Sequence, residues 1–107
     1  MLYEIKRNKK DVDGVLVETW KREIVNANIL EVEVGTTGYK GGDTGHGGRT
    51  YLSIKNLSST DLNAYIINND FGDTEKVVIE LGGDTELGTF IEALEFAINV
   101  LKEQSKR

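Results

Sequence analysis

The residues with the clearest potential for ligand chemistry lie in one glycine-rich segment, Gly35–Arg49. Seven of the twelve glycines of the chain fall between Gly35 and Gly48. Glycine permits positive φ angles and close approach of the backbone, and successive amides in such conformations form concavities that bind anions. Donor and aromatic side chains alternate with these glycines. The segment, together with Tyr51 two residues beyond it, supplies most of the predicted ligand-binding set: Thr36, Thr37, Tyr39, Lys40, Gly41, Gly42, Asp43, Thr44, His46, Arg49 and Tyr51.

These residue types suit a nucleotide or a phosphosugar. Arg49 can grip two phosphate oxygens at once, Lys40 adds a mobile charge, and the amides of Gly41–Gly48 would hold phosphate. Thr44 and His46 would hydrogen-bond to phosphate or ribose. Arg49 is expected to contribute most, because a charged bidentate contact is worth about 1.5–3 kcal/mol. The rings available to stack on a base are those of Tyr39, Tyr51 and Phe71.

The segment matches neither of two standard nucleotide-binding fingerprints. A P-loop requires Gly-x-x-x-x-Gly-Lys-Ser/Thr leading into a helix, whereas Lys40 precedes the glycine pair and a strand is predicted to follow. A dinucleotide fingerprint requires a βαβ unit, which the predicted elements lack. The alternative to a ligand site is a surface loop or a long hairpin tip, and both interpretations stay open.

The tetrapeptide Gly-Gly-Asp-Thr occurs twice, at Gly41–Thr44 and at Gly82–Thr85. The second copy lies at a predicted helix N-terminus, where unpaired amides and the helix dipole attract anions. Asp84 and Thr85 therefore join the predicted ligand-binding set, and the two turns would meet around one ligand. The alternative is a plain turn between strand and helix, with Asp84 or Thr85 as the helix cap.

His46 is the only histidine and the chain has no cysteine, so no metal site is predicted. His46 with Asp43 or Asp84 could serve as an acid–base pair. No nucleophile or orienting partner is identifiable from the spacing, so no catalytic residue and no cofactor is predicted.

The elements that must position these residues are predicted from hydrophobic periodicity. Alternating apolar residues indicate strands, and a lack of helical spacers between them favours an antiparallel meander. Asn8–Asp13 is expected to be a loop, Asp13-Gly14 a turn, and Lys21–Val25 either extended or turning. The predicted strands are Leu2–Lys6 (or an irregular arm), Val15–Trp20, Ile29–Val34, Thr50–Lys55, Leu62–Asn68 and Glu75–Leu81.

The period changes in the C-terminal part, which predicts an amphipathic helix over residues 84–103 with Gln104–Arg107 fraying. The predicted fold is α+β, one domain over residues 1–107, with an antiparallel β-sheet meander of about five to six strands and one C-terminal amphipathic helix packed on it. The stripe is widened by four further apolar residues, and a face this broad suggests contact with a second subunit; they are Ala93, Phe96, Ala97 and Val100. The predicted stripe consists of Leu87, Phe90, Ile91, Leu94, Ile98 and Leu101.

Composition narrows the function classes. The chain carries 18 acidic against 13 basic residues, a net charge of -5, which disfavours nonspecific binding to nucleic acid or an anionic membrane. The charged N-terminus and the lack of a long apolar run indicate a cytoplasmic protein without a membrane segment. The acidity also allows a second hypothesis, an inhibitor of a host nuclease or CRISPR effector. Its acidic surface would comprise Glu31, Glu33, Glu80, Glu92 and Glu95.

Three segments together resemble small proteins of phages and prophages, among them the phage anti-Thoeris signal sponges. They are Glu-Val-Gly-Thr-Thr-Gly at 33–38, Gly-Gly-Asp-Thr-Gly-His-Gly-Gly-Arg-Thr-Tyr at 41–51 and Leu-Gly-Gly-Asp-Thr-Glu-Leu at 81–87, followed by the closing helix. The resemblance covers roughly Ile29 to Lys102. It implies a homo-oligomer with pockets between subunits, which sequesters a cyclic nucleotide or cyclic ADP-ribose-type immune signal uncleaved and so blocks host anti-phage defence. An enzyme acting on a phosphorylated small molecule is the third hypothesis.

Overall fold

The computed structural model describes residues 5–41 and 47–106, which form six antiparallel strands and one helix. The α+β class and the C-terminal helix packed on a sheet are therefore confirmed. Within the described part, no helix combines the length and the apolar character that crossing a membrane requires. The elements are β1 (Lys6–Val12), β2 (Val15–Val25), β3 (Ile29–Thr36), β4 (Thr50–Ser58), β5 (Leu62–Asn68), β6 (Thr74–Leu81) and α1 (Asp84–Gln104).

The six strands form two sheets rather than one continuous meander. β1 to β4 make a four-stranded antiparallel sheet in chain order, and β5 and β6 form a separate hairpin. The division occurs after β4, where Ser59 has a φ of 58° and Asn56 Nδ2 donates a 2.8 Å hydrogen bond to the Thr60 carbonyl. This turn directs β5 away from the edge of β4, so the two strands do not pair.

The first strand lies where a loop was expected, so the assignment of Asn8–Asp13 to a loop is wrong. β1 pairs in full register with β2, from Lys6 opposite Lys21 to Val12 opposite Val15. The tight Asp13-Gly14 turn, with φ of 51° and 81°, sets that register, as a two-residue hairpin turn with two positive φ angles does. Strand pairing thus overrides the low β propensity of the charged residues.

The core lies between one face of the four-stranded sheet and α1. Ile24 on β2, with Val32 and Val34 on β3, packs against the helix, and Trp20 borders this cluster. The helix contributes Ala93, Phe96, Ala97 and Val100 to the cluster.

The face of α1 that packs on the sheet is not the predicted apolar stripe. Ala93 and Ala97, expected only to widen the stripe, are buried, whereas Leu87, Ile91 and Ile98 are exposed. Small side chains allow the helix backbone to approach the sheet closely, which explains this rotation of the helix about its axis.

A buried polar network fixes the N-terminal half of α1. Thr89 Oγ1 donates a 2.8 Å hydrogen bond to Asn28 Oδ1, and Asn28 Nδ2 donates a 2.9 Å bond to Thr60 Oγ1. The helix starts after Gly83, and no side-chain capping bond is present at this end in the described residues. The prediction that Asp84 or Thr85 caps the helix is therefore wrong.

Candidate functional site

The described ends of the glycine-rich segment come together as a narrow antiparallel neck next to β3 and β4. The Thr37 amide donates a 2.9 Å hydrogen bond to the Arg49 carbonyl, and the Arg49 amide donates a 2.9 Å bond to Thr37 Oγ1. Farther out, the Gly47 amide donates a 2.8 Å bond to the Gly41 carbonyl. A side chain at Gly48 would collide with the Gly38 carbonyl, so this neck requires glycine for close packing of its two strands.

Thr36 is the structural centre of the neck. Its Oγ1 lies 2.9 Å from Thr50 Oγ1, accepts a 3.0 Å hydrogen bond from the Gly38 amide and is 3.2 Å from the Arg49 carbonyl. The hydrogen-bonding capacity of this hydroxyl is therefore used by groups of the neck itself. Its predicted role as a ligand donor is therefore less suited to the geometry than a role in holding the neck.

The side chain of Gln104 attaches the C-terminal end of α1 to the neck. Its Oε1 accepts a 2.7 Å hydrogen bond from the Thr36 amide, and its Nε2 donates a 3.0 Å bond to the Glu18 carbonyl. The β2–β3 register ends with Thr19 opposite Gly35, so Glu18 and Thr36 would be the next pair. If the β2–β3 ladder continued, the Thr36 amide would donate to the Glu18 carbonyl. The side-chain amide of Gln104 bridges these two groups instead.

The expectation that the chain frays from Gln104 onward is wrong for Gln104 itself. A single glutamine in a polar C-terminal run carries no periodic signal, and its two partners are 68 and 86 residues away. Only the folded sheet brings Glu18 and Thr36 to the end of the helix.

A cleft of about 510 Å³ opens between the neck and the end of α1. This volume lies within the range of small-molecule sites, roughly 300–1,000 Å³. Tyr39, Lys40 and Thr50 line one side, and Leu101 and Ser105 line the other. Tyr39 is 72% exposed, and an aromatic ring is a group on which planar ligands stack.

The charges at this cleft are divided between its two sides. Lys40 supplies a cation on the neck side. The other side is the end of α1, where the helix dipole places partial negative charge on the last carbonyls. An anionic group is therefore favoured near Lys40, and hydroxyl or amino donors are favoured near the helix end.

Arg49 and Tyr51 lie toward the opposite face of the sheet and do not line this cleft. The Arg49 Nε is 3.9 Å from Asp13 Oδ2, and its Nη1 donates a 3.0 Å hydrogen bond to the Gly48 carbonyl. Tyr51 is opposite Gly35 in the register, and Lys10 Nζ lies 5.8 Å from the centre of its ring. The predicted set is thus split between two faces.

The helix-free face carries a buried carboxylate, which sequence reasoning placed on the surface. Glu33 is 5% exposed and accepts a 2.6 Å hydrogen bond from Thr19 Oγ1. Lys10 Nζ and Lys21 Nζ lie 3.9 and 4.0 Å from Glu33 Oε1, and Asn8 Nδ2 is 3.3 Å from Oε2. The sheet is curled, because β1 approaches β4 as well as its paired strand β2, and the curl covers Glu33.

Two other predicted regions do not line the cleft. Phe71 is 90% exposed in the turn between β5 and β6. Asp84 and Thr85 begin α1, whereas the cleft is at its other end, about 30 Å away for a helix of 21 residues. The expectation that the two Gly-Gly-Asp-Thr turns meet is therefore wrong for the described part of the first copy, since Gly41 lines the cleft.

Four residues of the predicted set, Gly42, Asp43, Thr44 and His46, lie outside the described residues. In residues 5–41 and 47–106, no group of three or more histidine, aspartate or glutamate side chains is arranged to hold a metal ion.

The sequence matches no protein-family model, and neither curated proteins nor solved structures yield a similar protein.

Proposed function

We propose that this protein binds a small phosphorylated ligand of the nucleotide class in the cleft between the neck and the end of α1, and releases it chemically unchanged. The observation that carries the proposal is the grouping of Tyr39, Lys40 and Thr50 around a cleft of about 510 Å³. A ring, a cation and hydroxyls are the groups that a base, a phosphate and a ribose require.

The division of charge indicates how the ligand is oriented. Its phosphate lies on the Lys40 side of the cleft. Its ribose hydroxyls or exocyclic amine lie toward Ser105 and the last carbonyls of α1, which accept hydrogen bonds. In this proposal Lys40 is the main cationic contact, because Arg49 does not line the cleft.

The finer proposal concerns the ligand's identity. The resemblance of the Gly35–Arg49 segment to phage anti-Thoeris sponges leads us to propose a cyclic nucleotide or a cyclic ADP-ribose derivative. Sequestration of such a signal in the cytoplasm of an infected host would block its anti-phage defence. A sponge needs tight contacts and no attacking group, which agrees with a neck whose Thr36 and Thr37 hydroxyls are used in internal hydrogen bonds.

The test is a calorimetric titration with cyclic ADP-ribose isomers and cyclic dinucleotides, followed by mass spectrometry of the released ligand. We expect one of these compounds to bind and to be recovered at its original mass. Lys40→Ala should weaken binding about tenfold or more, because a hydrogen bond to a charged group is worth about 1.5–3 kcal/mol. Tyr39→Ala should also weaken it, through loss of stacking.

Lys76→Ala is the matched control, since it removes the same charge from β6, which does not line the cleft, and should leave affinity unchanged. Absence of binding by every compound of these two classes contradicts the proposed ligand. An altered ligand mass contradicts release without chemistry. Equal losses in Lys40→Ala and Lys76→Ala would show that only net charge matters, which contradicts the cleft as the site.

The two other hypotheses receive less support from the geometry. The acidic surface expected for an inhibitor lacks Glu33, which is buried against Thr19. The acid–base pair expected for an enzyme cannot use Asp84 at this cleft, because Asp84 lies at the opposite end of α1.

A further inference from the structure

One side of α1 carries an apolar stripe that nothing in the described structure covers. Leu87, Ile91, Leu94 and Ile98 follow one another at helical spacing and are all exposed, Leu87 to 59%. Exposed apolar side chains that occur singly are ordinary, but a contiguous stripe of this length marks an interaction surface.

The same apolar surface continues onto the edge of the four-stranded sheet. Leu52 on β4 is opposite Val34 in the register, so it lies on the face of the sheet that carries the helix. It is exposed, and the outer edge of β4 has no strand partner among the described residues. The unpaired backbone groups of a sheet edge can pair with another strand or hairpin, and the neighbouring apolar stripe of α1 can cover its side chains.

The β5–β6 hairpin has a complementary face. The register pairs Leu62 with Leu81, Ala64 with Ile79 and Ile66 with Val77, so three successive pairs give one face of the hairpin an apolar surface. Ile66 is 63% exposed, and in the described part no other element packs extensively on the hairpin. A two-stranded hairpin alone is marginally stable in water and needs a helix or further strands to cover its apolar face.

The whole chain has the surface of a molecule that lacks a partner. Its accessible area is 7538 Å², whereas a folded monomer of this mass exposes about 6,000 Å². Its radius of gyration is 15.4 Å, against about 13 Å for a compact chain of this length. If each of two copies buried its excess accessible area of about 1,500 Å², the dimer would bury roughly 3,000 Å² in total. An interface of this area is typical of an obligate homodimer.

We propose that the missing partner is a second copy of this chain, with each copy laying the apolar face of its β5–β6 hairpin on the α1 stripe and β4 edge of the other. Both surfaces are present once per chain, so the exchange closes with twofold symmetry. Within one chain, the turn at Ser59 and the hydrogen bond from Asn56 to Thr60 hold the hairpin away from its own helix. In the dimer, the β5–β6 hairpin of one copy would lie beside β4 of the other under its helix. This arrangement resembles the antiparallel sheet with a packed helix that the sequence pattern predicts.

Sedimentation equilibrium tests the proposal directly. The wild-type protein should have about twice the mass of the 11.9 kDa chain. Ile66→Asp on the hairpin and Leu94→Asp on the helix should each produce a folded monomer, because each buries a charge in the interface. Matched controls place the same charge on other faces: Asn63→Asp on the opposite face of β5 and Asn99→Asp on the side of α1 next to Arg22 of β2 should remain dimeric. Circular dichroism establishes that each variant is folded.

Cross-linking tests which surfaces meet. The chain has no cysteine, so Ile66→Cys and Leu94→Cys can be prepared separately and mixed under oxidising conditions. We expect a disulfide-linked pair containing one chain of each variant, and little linkage when Glu95→Cys replaces Leu94→Cys.

A monomeric wild-type protein would overturn the proposal, including the case in which a different protein from a lysate binds the stripe. So would a dimer that survives both aspartate substitutions, or an intrachain disulfide in the Ile66→Cys/Leu94→Cys double variant. None of these outcomes bears on the cleft, because neither Ile66 nor Leu94 lines it.

Discussion

Glu33 shows that the burial of a single side chain can differ from the burial that the alternation of its strand predicts. The alternation of Leu30, Val32 and Val34 correctly predicts which residues of β3 face the core. The same alternation places Glu33 in water, yet it is buried and bonded to Thr19. The reason is the curl of the sheet, which depends on contacts between β1 and β4 and leaves no trace in local periodicity.

Removal of the Glu33 carboxylate should destabilise the fold. Glu33→Ala leaves Thr19 without its acceptor and Lys10 and Lys21 without their shared partner, which should cost about 1–3 kcal/mol in free energy of unfolding. Glu33→Gln keeps an acceptor for Thr19 and should cost less. Urea denaturation of both variants, with exposed Glu80→Ala as the control, measures the difference; similar midpoints for Glu33→Ala and wild type would contradict it.

At the scale of the elements, α1 is held at both ends by side chains that periodicity does not identify. Thr89 is buried against Asn28 near the start of the helix, and Gln104 bridges Glu18 and Thr36 at its end. The helix's existence and approximate limits follow from its apolar spacing. Its rotation does not, because the sheet selects the face with Ala93 and Ala97 by allowing close approach.

Thr89→Val should destabilise the protein although it preserves the shape of the side chain. The substitution leaves Asn28 Oδ1 without its 2.8 Å donor in a fully buried position, which should lower the free energy of unfolding by about 1–3 kcal/mol. The exposed Thr85→Val in the same helix is the control and should change it by less than about 0.5 kcal/mol. Thermal unfolding compares the two, and equal stabilities would contradict a structural role for this network.

Gln104→Ala should loosen the neck without unfolding the protein. Both of its hydrogen bonds would be lost, so the Thr36 amide should exchange its proton with solvent faster, by about tenfold for a lost bond worth about 1.4 kcal/mol. Lys102→Ala in the same helical turn should leave that rate unchanged. Hydrogen exchange followed by NMR measures it, and an unchanged Thr36 rate in Gln104→Ala would contradict the bridge.

For the whole molecule, the α+β class and the strands β2 to β6 follow from the sequence, while β1 and the split into two sheets do not. The pattern over β4 and β5 is that of neighbouring strands, and the separation depends on Ser59 and on the Asn56–Thr60 bond. The cleft is likewise hidden from the sequence, because it is formed by residues from the neck and from the end of α1.

If the proposed hairpin exchange stabilises the fold, stability should depend on protein concentration. The unfolding temperature of the wild type should rise by about 3–5 °C for each tenfold increase in concentration, because dimerisation removes unfolded chains by mass action. The Ile66→Asp variant should show no such dependence. Scanning calorimetry over a hundredfold range of concentration compares them, and a wild-type midpoint that stays constant would contradict the coupling.

The tight packing of the glycines has a consequence for saturation mutagenesis of the loop. A side chain at Gly35 would collide with the Glu18 carbonyl, and one at Gly48 would collide with the Gly38 carbonyl. Every substitution at these two positions should therefore be depleted in a selection for function, whatever the ligand. Such a depletion pattern would resemble a binding site. It would instead record backbone packing, so substitutions at Tyr39 and Lys40 are the informative ones.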